Sequence, residues 1–218
     1  MTTIKVIITG ATGMVGEGVL FECLQNANVN RVMTVNRRHY ELSHPKLKEL
    51  IVPDFFKLDQ FAESIKGYDA CFFCAGISSV GMKEEKYTRI TYDTTMAFAK
   101  TLLAYNNNMS FCYISGSHTD SSEKGRLMWA RVKGRTENDL MKLPFKCIYN
   151  FRPGAMLPFP GQQNWKSIYK FIVKIIKAIS PGSVITMMEL GRAMINAVTI
   201  AHPKHILEIQ DIKQLAKT

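Results

Sequence analysis

Residues 8–16 read Ile-Thr-Gly-Ala-Thr-Gly-Met-Val-Gly, and no other stretch limits the chain so much. An apolar, β-branched run over Thr2–Thr9 precedes this turn, and apolar residues at helical spacing follow it over Val15–Leu24. A strand that passes through a glycine turn into a helix leaves the helix's first N–H groups unpaired. They lie where a dinucleotide pyrophosphate binds. The three glycines have separate expected tasks. Gly10 makes the tight turn, Gly13 lets backbone approach the phosphates, and Gly16 lets the helix pack close to the strand. Thr12, Met14 and Val15 lie between them and complete the candidate cofactor cradle.

The rest of the chain alternates in the same way. Strands are expected over Ile4–Thr9, Arg31–Asn36, Leu50–Val52, Ala70–Ala75, Ser110–Ser115 and Cys147–Arg152. Helices are expected over Val15–Gln25, Asp59–Ile65, Tyr87–Tyr105 and Leu127–Met141. Such alternation predicts an α/β fold: a doubly wound parallel (Rossmann) sheet, with a small C-terminal helical cap. At 218 residues the chain reads as one domain over 1–218, with 153–218 as a small substrate or cap part. The Gly/Ser-rich loops 76–83 and 116–125 would lie at the carboxyl ends of strands four and five, where ligands bind in open α/β sheets.

Five cysteines fit a reducing compartment. Cys71 and Cys74 form a Cys-x-x-Cys inside a strand, a spacing that sends the two side chains to opposite faces. No metal site is expected. No apolar run reaches the roughly 18 residues of a membrane span, and the N-terminal residues lack the pattern of a signal peptide, so the chain reads as cytoplasmic.

Strand two ends in Asn36-Arg37-Arg38. A neutral amide followed by two arginines suits a ribose 2′-phosphate better than a 2′-hydroxyl, which favours NADP(H) over NAD(H). The Gly-x-x-Gly-x-x-Gly spacing within Thr-Gly-Ala-Thr-Gly resembles the extended and atypical short-chain dehydrogenase/reductase superfamily. Lys133-Gly134, Phe151-Arg152-Pro153-Gly154 and Glu189-Leu190-Gly191-Arg192-Ala193-Met194 resemble, more narrowly, its Tat-interacting-protein oxidoreductase-like, epimerase-like group. This resemblance implies a nicotinamide cofactor and adds site residues. Asp54 and Phe55 would contact adenine. Cys74, Ala75 and Gly76 would let backbone approach the cofactor ribose. Arg152 and Pro153 would meet the nicotinamide carboxamide.

Members of this superfamily pair a tyrosine acid with a lysine four residues on, one helical turn apart. Here the positions hold Trp129 and Lys133. Indole is a donor without a usable acidic proton, so Trp129 would shape the pocket. Lys133 would hold the nicotinamide ribose and Ser115, with Ser117 nearby, would orient a substrate carbonyl. His118 and Tyr87 lie in the right stretches to replace the missing acid. The reading is an NADP(H)-binding oxidoreductase-like protein acting on a small carbonyl compound. The alternative is a non-catalytic NADP(H)-sensing regulatory or membrane-associated protein.

Residues 123–177 hold 12 Lys/Arg and 3 Asp/Glu, a net +9 of the chain's +10. Within them, Trp165–Ile179 reads WKSIYKFIVKIIKAI, with Trp165, Ile168, Phe171, Ile172, Ile175, Ile176 and Ile179 in one arc and four lysines opposite. Such a helix suits packing on the domain, an anionic membrane surface, or a lid over the substrate pocket. The last two would make the protein peripherally membrane-associated or gate its site. No nucleic-acid partner is expected, since no recognition motif accompanies the charge. The oligomeric state is expected to be monomer or homodimer.

Overall fold

The computed structural model describes residues 3–164 and 181–218. The amphipathic stretch Trp165–Ile179 therefore lies outside the described residues. Strand β1 (Ile4–Thr9) enters helix α1 (Met14–Gln25) through the glycine turn, and β2 (Val29–Asn36) and β3 (Leu47–Ile51) follow. A 3-10 helix over Phe55–Phe61 and a short α2 (Ala62–Ile65) lead to β4 (Ala70–Phe73). Helix α3 (Glu84–Thr88) runs through a π turn at Arg89–Asp93 into α4 (Thr94–Tyr105). Then come β5 (Ser110–Ile114), α5 (Met128–Leu140), β6 (Cys147–Phe151) and β7 (Ala155–Leu157). After residue 181 the order is β8 (Val184–Thr186), α6 (Met187–Thr199), β9 (Ile206–Leu207) and α7 (Ile209–Leu215).

Seven strands form one parallel sheet in the order β3-β2-β1-β4-β5-β6-β9. This is the doubly wound arrangement, with strand order running outward in both directions from β1. The period of two in β1 builds both layers at once: Ile4, Val6 and Ile8 face one side and Ile7 the other. The first side packs on Val19, Leu20 and Cys23 of α1 and on Leu190, Ala193 and Met194 of α6. The second packs on Phe98, Ala99 and Leu102 of α4, with Phe55, Leu58 and Leu140. Cys71 belongs to the second layer while Cys74 packs on the first, as their strand spacing requires.

Small residues let α1 and α6 approach. A Cβ on Gly18 would lie 2.6 Å from the Met187 Cβ, and one on Gly191 2.7 Å from the Glu22 Cβ. Beside them Arg192 Nε donates to Glu22 Oε1 at 3.0 Å. The motif containing Gly191-Arg192 is thus a helix-packing device. Helix α6 starts with a capping box between Thr186 and Glu189. The C-terminal part also adds β9 to the edge of the main sheet and pairs β7 with β8 in a small second sheet.

Most boundaries shift by one or two residues, and three elements differ in more than that. Strand three is Leu47–Ile51 rather than Leu50–Val52, because Lys48 and Glu49 sit on a half-exposed edge where polar side chains are tolerated. The helix expected over Asp59–Ile65 is mostly 3-10, with Phe55 and Leu58 buried one tight turn apart. The helix expected over Tyr87–Tyr105 starts at Glu84 and carries the π turn, which a uniform 3.6-residue period does not reveal.

Candidate functional site

The site lies at the carboxyl edge of the sheet, and its floor is the glycine turn. Gly10 has φ +73°, and a Cβ there would lie 2.7 Å from the Ala75 N. Gly16 is tighter still: its Cβ would lie 2.1 Å from the Gly10 O. The first intrahelical bond of α1 runs from the Glu17 N–H to the Gly13 O at 3.0 Å, and no side chain caps the helix. The N–H groups of Met14, Val15 and Gly16 therefore have no acceptor within the helix. Thr12 and Gly13 are exposed at the tip. These groups fit a pyrophosphate. Ala75 N donates to Thr9 Oγ1 at 3.1 Å, which holds the Cys74-Ala75-Gly76 backbone against the turn. Burial pushes the Cys74 thiol up, and its side chain packs against the first layer of the core.

At the far end of the groove, Asn36 is buried and its Oδ1 has no hydrogen-bond partner. Arg37 and Arg38 follow, both exposed, and neither has an ion-pair or hydrogen-bond partner among the described residues. Asp54 is exposed and caps the 3-10 helix by accepting from the Phe56 N–H at 3.0 Å. Phe55 corrects the expectation of an adenine contact. The residue is 7 % exposed and its ring packs 5.1 Å from the Phe98 ring in the core, so the ring is not offered to an adenine. The exposed ring at this corner belongs to Phe56.

At the opposite end, α5 brings Trp129 and Lys133 onto one face. The Trp129 ring lies against Gly116, 3.9 Å from where a Cβ would be. Lys133 Nζ donates to the Ser115 carbonyl at the end of β5. Burial pushes the Lys133 amine down to about 8, against the pull of Glu137 one helical turn away. The adjacent glycine has its own reason: a Cβ on Gly134 would fall 1.8 Å from the Asp120 O, so the loop after β5 rests directly on α5. Asp120 orders that loop by accepting from Ser122 Oγ at 2.6 Å and the Gly125 N–H at 2.6 Å, contacts that hold its carboxyl below the usual range.

Two expectations change here. Ser115 is 5 % exposed and its hydroxyl donates to Glu137, so it is not turned toward a substrate carbonyl. Arg152 points its side chain into the same buried network. It bonds Glu137 through Nε and a terminal nitrogen, Glu208 at 3.1 Å and Ser121 at 2.6 Å. The backbone at Arg152-Pro153 closes the loop instead, with the Pro153 carbonyl accepting from the Ser117 N–H at 2.8 Å. Of the two substitute acids, Tyr87 is 1 % exposed and burial raises its phenol, which removes it from the site. His118 is exposed in the loop at φ +66°, a conformation non-glycine residues rarely adopt.

Sequence reasoning did not single out Glu137. The signal was its position four residues after Lys133, on the same helix face. The basic run is also partly paired at home. Arg131 meets Glu84 at 2.6 Å, Lys142 meets Asp139 at 2.7 Å, and Arg135 lies over the Tyr92 ring at 4.2 Å. Among the described residues no helix is long and apolar enough to cross a membrane.

Comparison with known proteins gives the family and the fold. Residues 6–123 fit the profile of the NAD-dependent epimerase/dehydratase family. The chain is 27 % identical to Protein HTATIP2 of Rattus norvegicus over 200 residues, covering 88 % of this chain and 80 % of that one. It is 25 % identical to Protein FMP52-2, mitochondrial, of Scheffersomyces stipitis over 227 residues, covering 96 % of each. The Bordetella bronchiseptica enzyme WbmF in complex with NAD+ superposes with TM-score 0.69 at 15 % identity, over 99 % of this chain and 77 % of WbmF. A UDP-N-acetylglucosamine 4-epimerase from Methanobrevibacter ruminantium gives TM-score 0.67 at 15 % identity, over 95 % and 76 %.

Proposed function

The chain belongs to the NAD-dependent epimerase/dehydratase family, and from that premise we propose that it is an NADP(H)-binding oxidoreductase-like protein acting on a small carbonyl compound. The observation that carries the cofactor preference is the pair Arg37 and Arg38, exposed and unpaired among the described residues at the ribose end of the groove. When bound, the nicotinamide supplies the hydride. The chain's own residues bind and orient. The free N–H groups of Met14, Val15 and Gly16 hold pyrophosphate, and the Lys133 ammonium, anchored on the Ser115 carbonyl, bonds the nicotinamide ribose. Trp129, whose ring lies near Gly116, walls the pocket, and the loops on either side carry exposed apolar residues at Ile77, Val80 and Leu127.

Fluorescence titration with NADPH and NADH tests the cofactor assignment. Wild-type protein is expected to bind NADPH more tightly, and Arg37→Glu to weaken NADPH by about tenfold or more with little change for NADH, since a charge reversal acts mainly on the 2′-phosphate. Equal losses would sink the NADP(H) preference.

Trp129 in the acid position favours a second reading, a protein that senses NADP(H) without turnover. Trp129→Tyr separates the two. A phenol one turn from Lys133 supplies the missing proton, and aldehyde reduction by the variant is expected to exceed wild type by about 10²-fold if the scaffold is catalytic. NADPH oxidation with an aldehyde panel reads this directly. A variant that binds NADPH normally yet stays inert supports the sensor.

A further inference from the structure

We propose that Glu49, on the edge strand β3, is a positioning residue that sets how the site discriminates a ribose 2′-hydroxyl from a 2′-phosphate. The inference rests on the reading of Asn36-Arg37-Arg38 as the ribose end of a dinucleotide site. Strand register fixes the location. Thr9 lies opposite Val35, so Asn36 comes alongside Gly10, the first residue of the glycine turn. Glu49 lies opposite Thr34, two residues before Asn36, and so on the same face of the sheet.

Glu49 ties down the turn that follows β2. Its Oε1 accepts from Asn36 Nδ2 at 3.0 Å and from the Tyr40 N–H at 2.9 Å, and its Oε2 bonds His39 Nδ1. One carboxylate thus ties both ends of the turn that carries Arg37 and Arg38. An ionised carboxylate only accepts, so the Asn36 amide must present its NH2 to Glu49. That orientation is what leaves Asn36 Oδ1 buried and unpartnered. A buried acceptor left without a partner calls for a donor. A ribose hydroxyl is one and a phosphate dianion is not.

Burial raises the Glu49 carboxyl, but the bonds from Asn36, His39 and the Tyr40 N–H outweigh it and hold it below the usual carboxylate range. The group is therefore anionic at neutral pH. Beside the turn stand a buried, unpartnered acceptor and a negative charge. The turn itself carries two exposed guanidinium groups with no partner among the described residues. The first pair favours a 2′-hydroxyl and the second a 2′-phosphate, and Glu49 sets the balance between them.

Glu49→Gln removes the charge and keeps a carbonyl that accepts from Asn36 and Tyr40. In titrations at low salt, this variant is expected to bind NADPH about three- to tenfold more tightly, with NADH unchanged within about twofold, as a unit charge acting on the 2′-phosphate across a partly solvated gap predicts. Asn36→Ala deletes the unpartnered acceptor and is expected to weaken NADH more than NADPH. Thermal unfolding of each variant confirms that it is folded. If Glu49→Gln shifts neither nucleotide, or both equally, and Asn36→Ala weakens both alike, Glu49 has no role in discrimination while the cofactor reading stands. If wild-type protein binds neither nucleotide, both fall together.

Discussion

Gly16→Ala is expected to lose pyridine-nucleotide binding altogether and to destabilise the fold by about 1–3 kcal/mol or more, the range for overpacking a dense contact. The added Cβ would stand 2.1 Å from the Gly10 O and 2.4 Å from its carbonyl carbon. Both are backbone atoms, so no side chain can swing aside. Gly10 has little room to retreat, since even a Cβ on it would lie 2.7 Å from the Ala75 N. The strain must open the joint between β1 and the first turn of α1, where Met14, Val15 and Gly16 present their free N–H groups. Gly13→Ala is the control, because its Cβ would meet only the Gly10 O, at 3.3 Å. It is expected to stay within about 1 kcal/mol of wild type in stability, a contact small enough to be absorbed by minor shifts. Urea denaturation and NADPH titration of both variants check this. A Gly16→Ala protein that binds NADPH normally would mean that the turn does not hold the phosphates.

The glycine turn was legible because its signal is local: strand period, glycine spacing and helix period all fall within one short segment. The same is true of the alternation that built the sheet, and of Cys71 and Cys74, whose opposite faces follow from strand geometry alone. What the sequence hid was side-chain direction at strand ends. Asp54-Phe55-Phe56 contains two adjacent rings, and which one enters the core depends on how the 3-10 helix turns against Phe98, a residue on α4. Ser115 and Arg152 end neighbouring strands and looked like groove residues. Both instead turn toward Glu137, a partner on α5 that only tertiary packing brings near. Glu49 lay outside the strand expected over Leu50–Val52 because a polar edge strand lacks the apolar run that marks a buried one. In each case a long-range partner chose between two locally equivalent directions.

Glu137 and Arg152 carry the second large effect. Glu137 is 1 % exposed, and Arg152 contacts it through two nitrogens while also reaching Glu208 and Ser121. The pair thereby joins α5, the end of β6, the loop after β5 and the start of α7. Arg152→Met keeps much of the side-chain bulk but abandons the carboxylate inside the protein. Breaking such a pair from one side costs about 3–5 kcal/mol. In a chain of this size that lowers the melting temperature by about 10 °C. Arg152→Met with Glu137→Gln removes both charges, and is expected to recover most of the loss, because the cost lies in the unpaired ion more than in the missing attraction. The double variant also tests the site. Ser115 and Lys133 both depend on this corner, Ser115 by its bond to Glu137 and Lys133 by its charge. Recovered stability with NADPH affinity near wild type would make the pair a strut. Recovered stability with weakened NADPH binding would make it the support that holds Lys133 in place. A double variant as unstable as Arg152→Met would show that the loss comes from packing at Arg152, and not from a stranded charge.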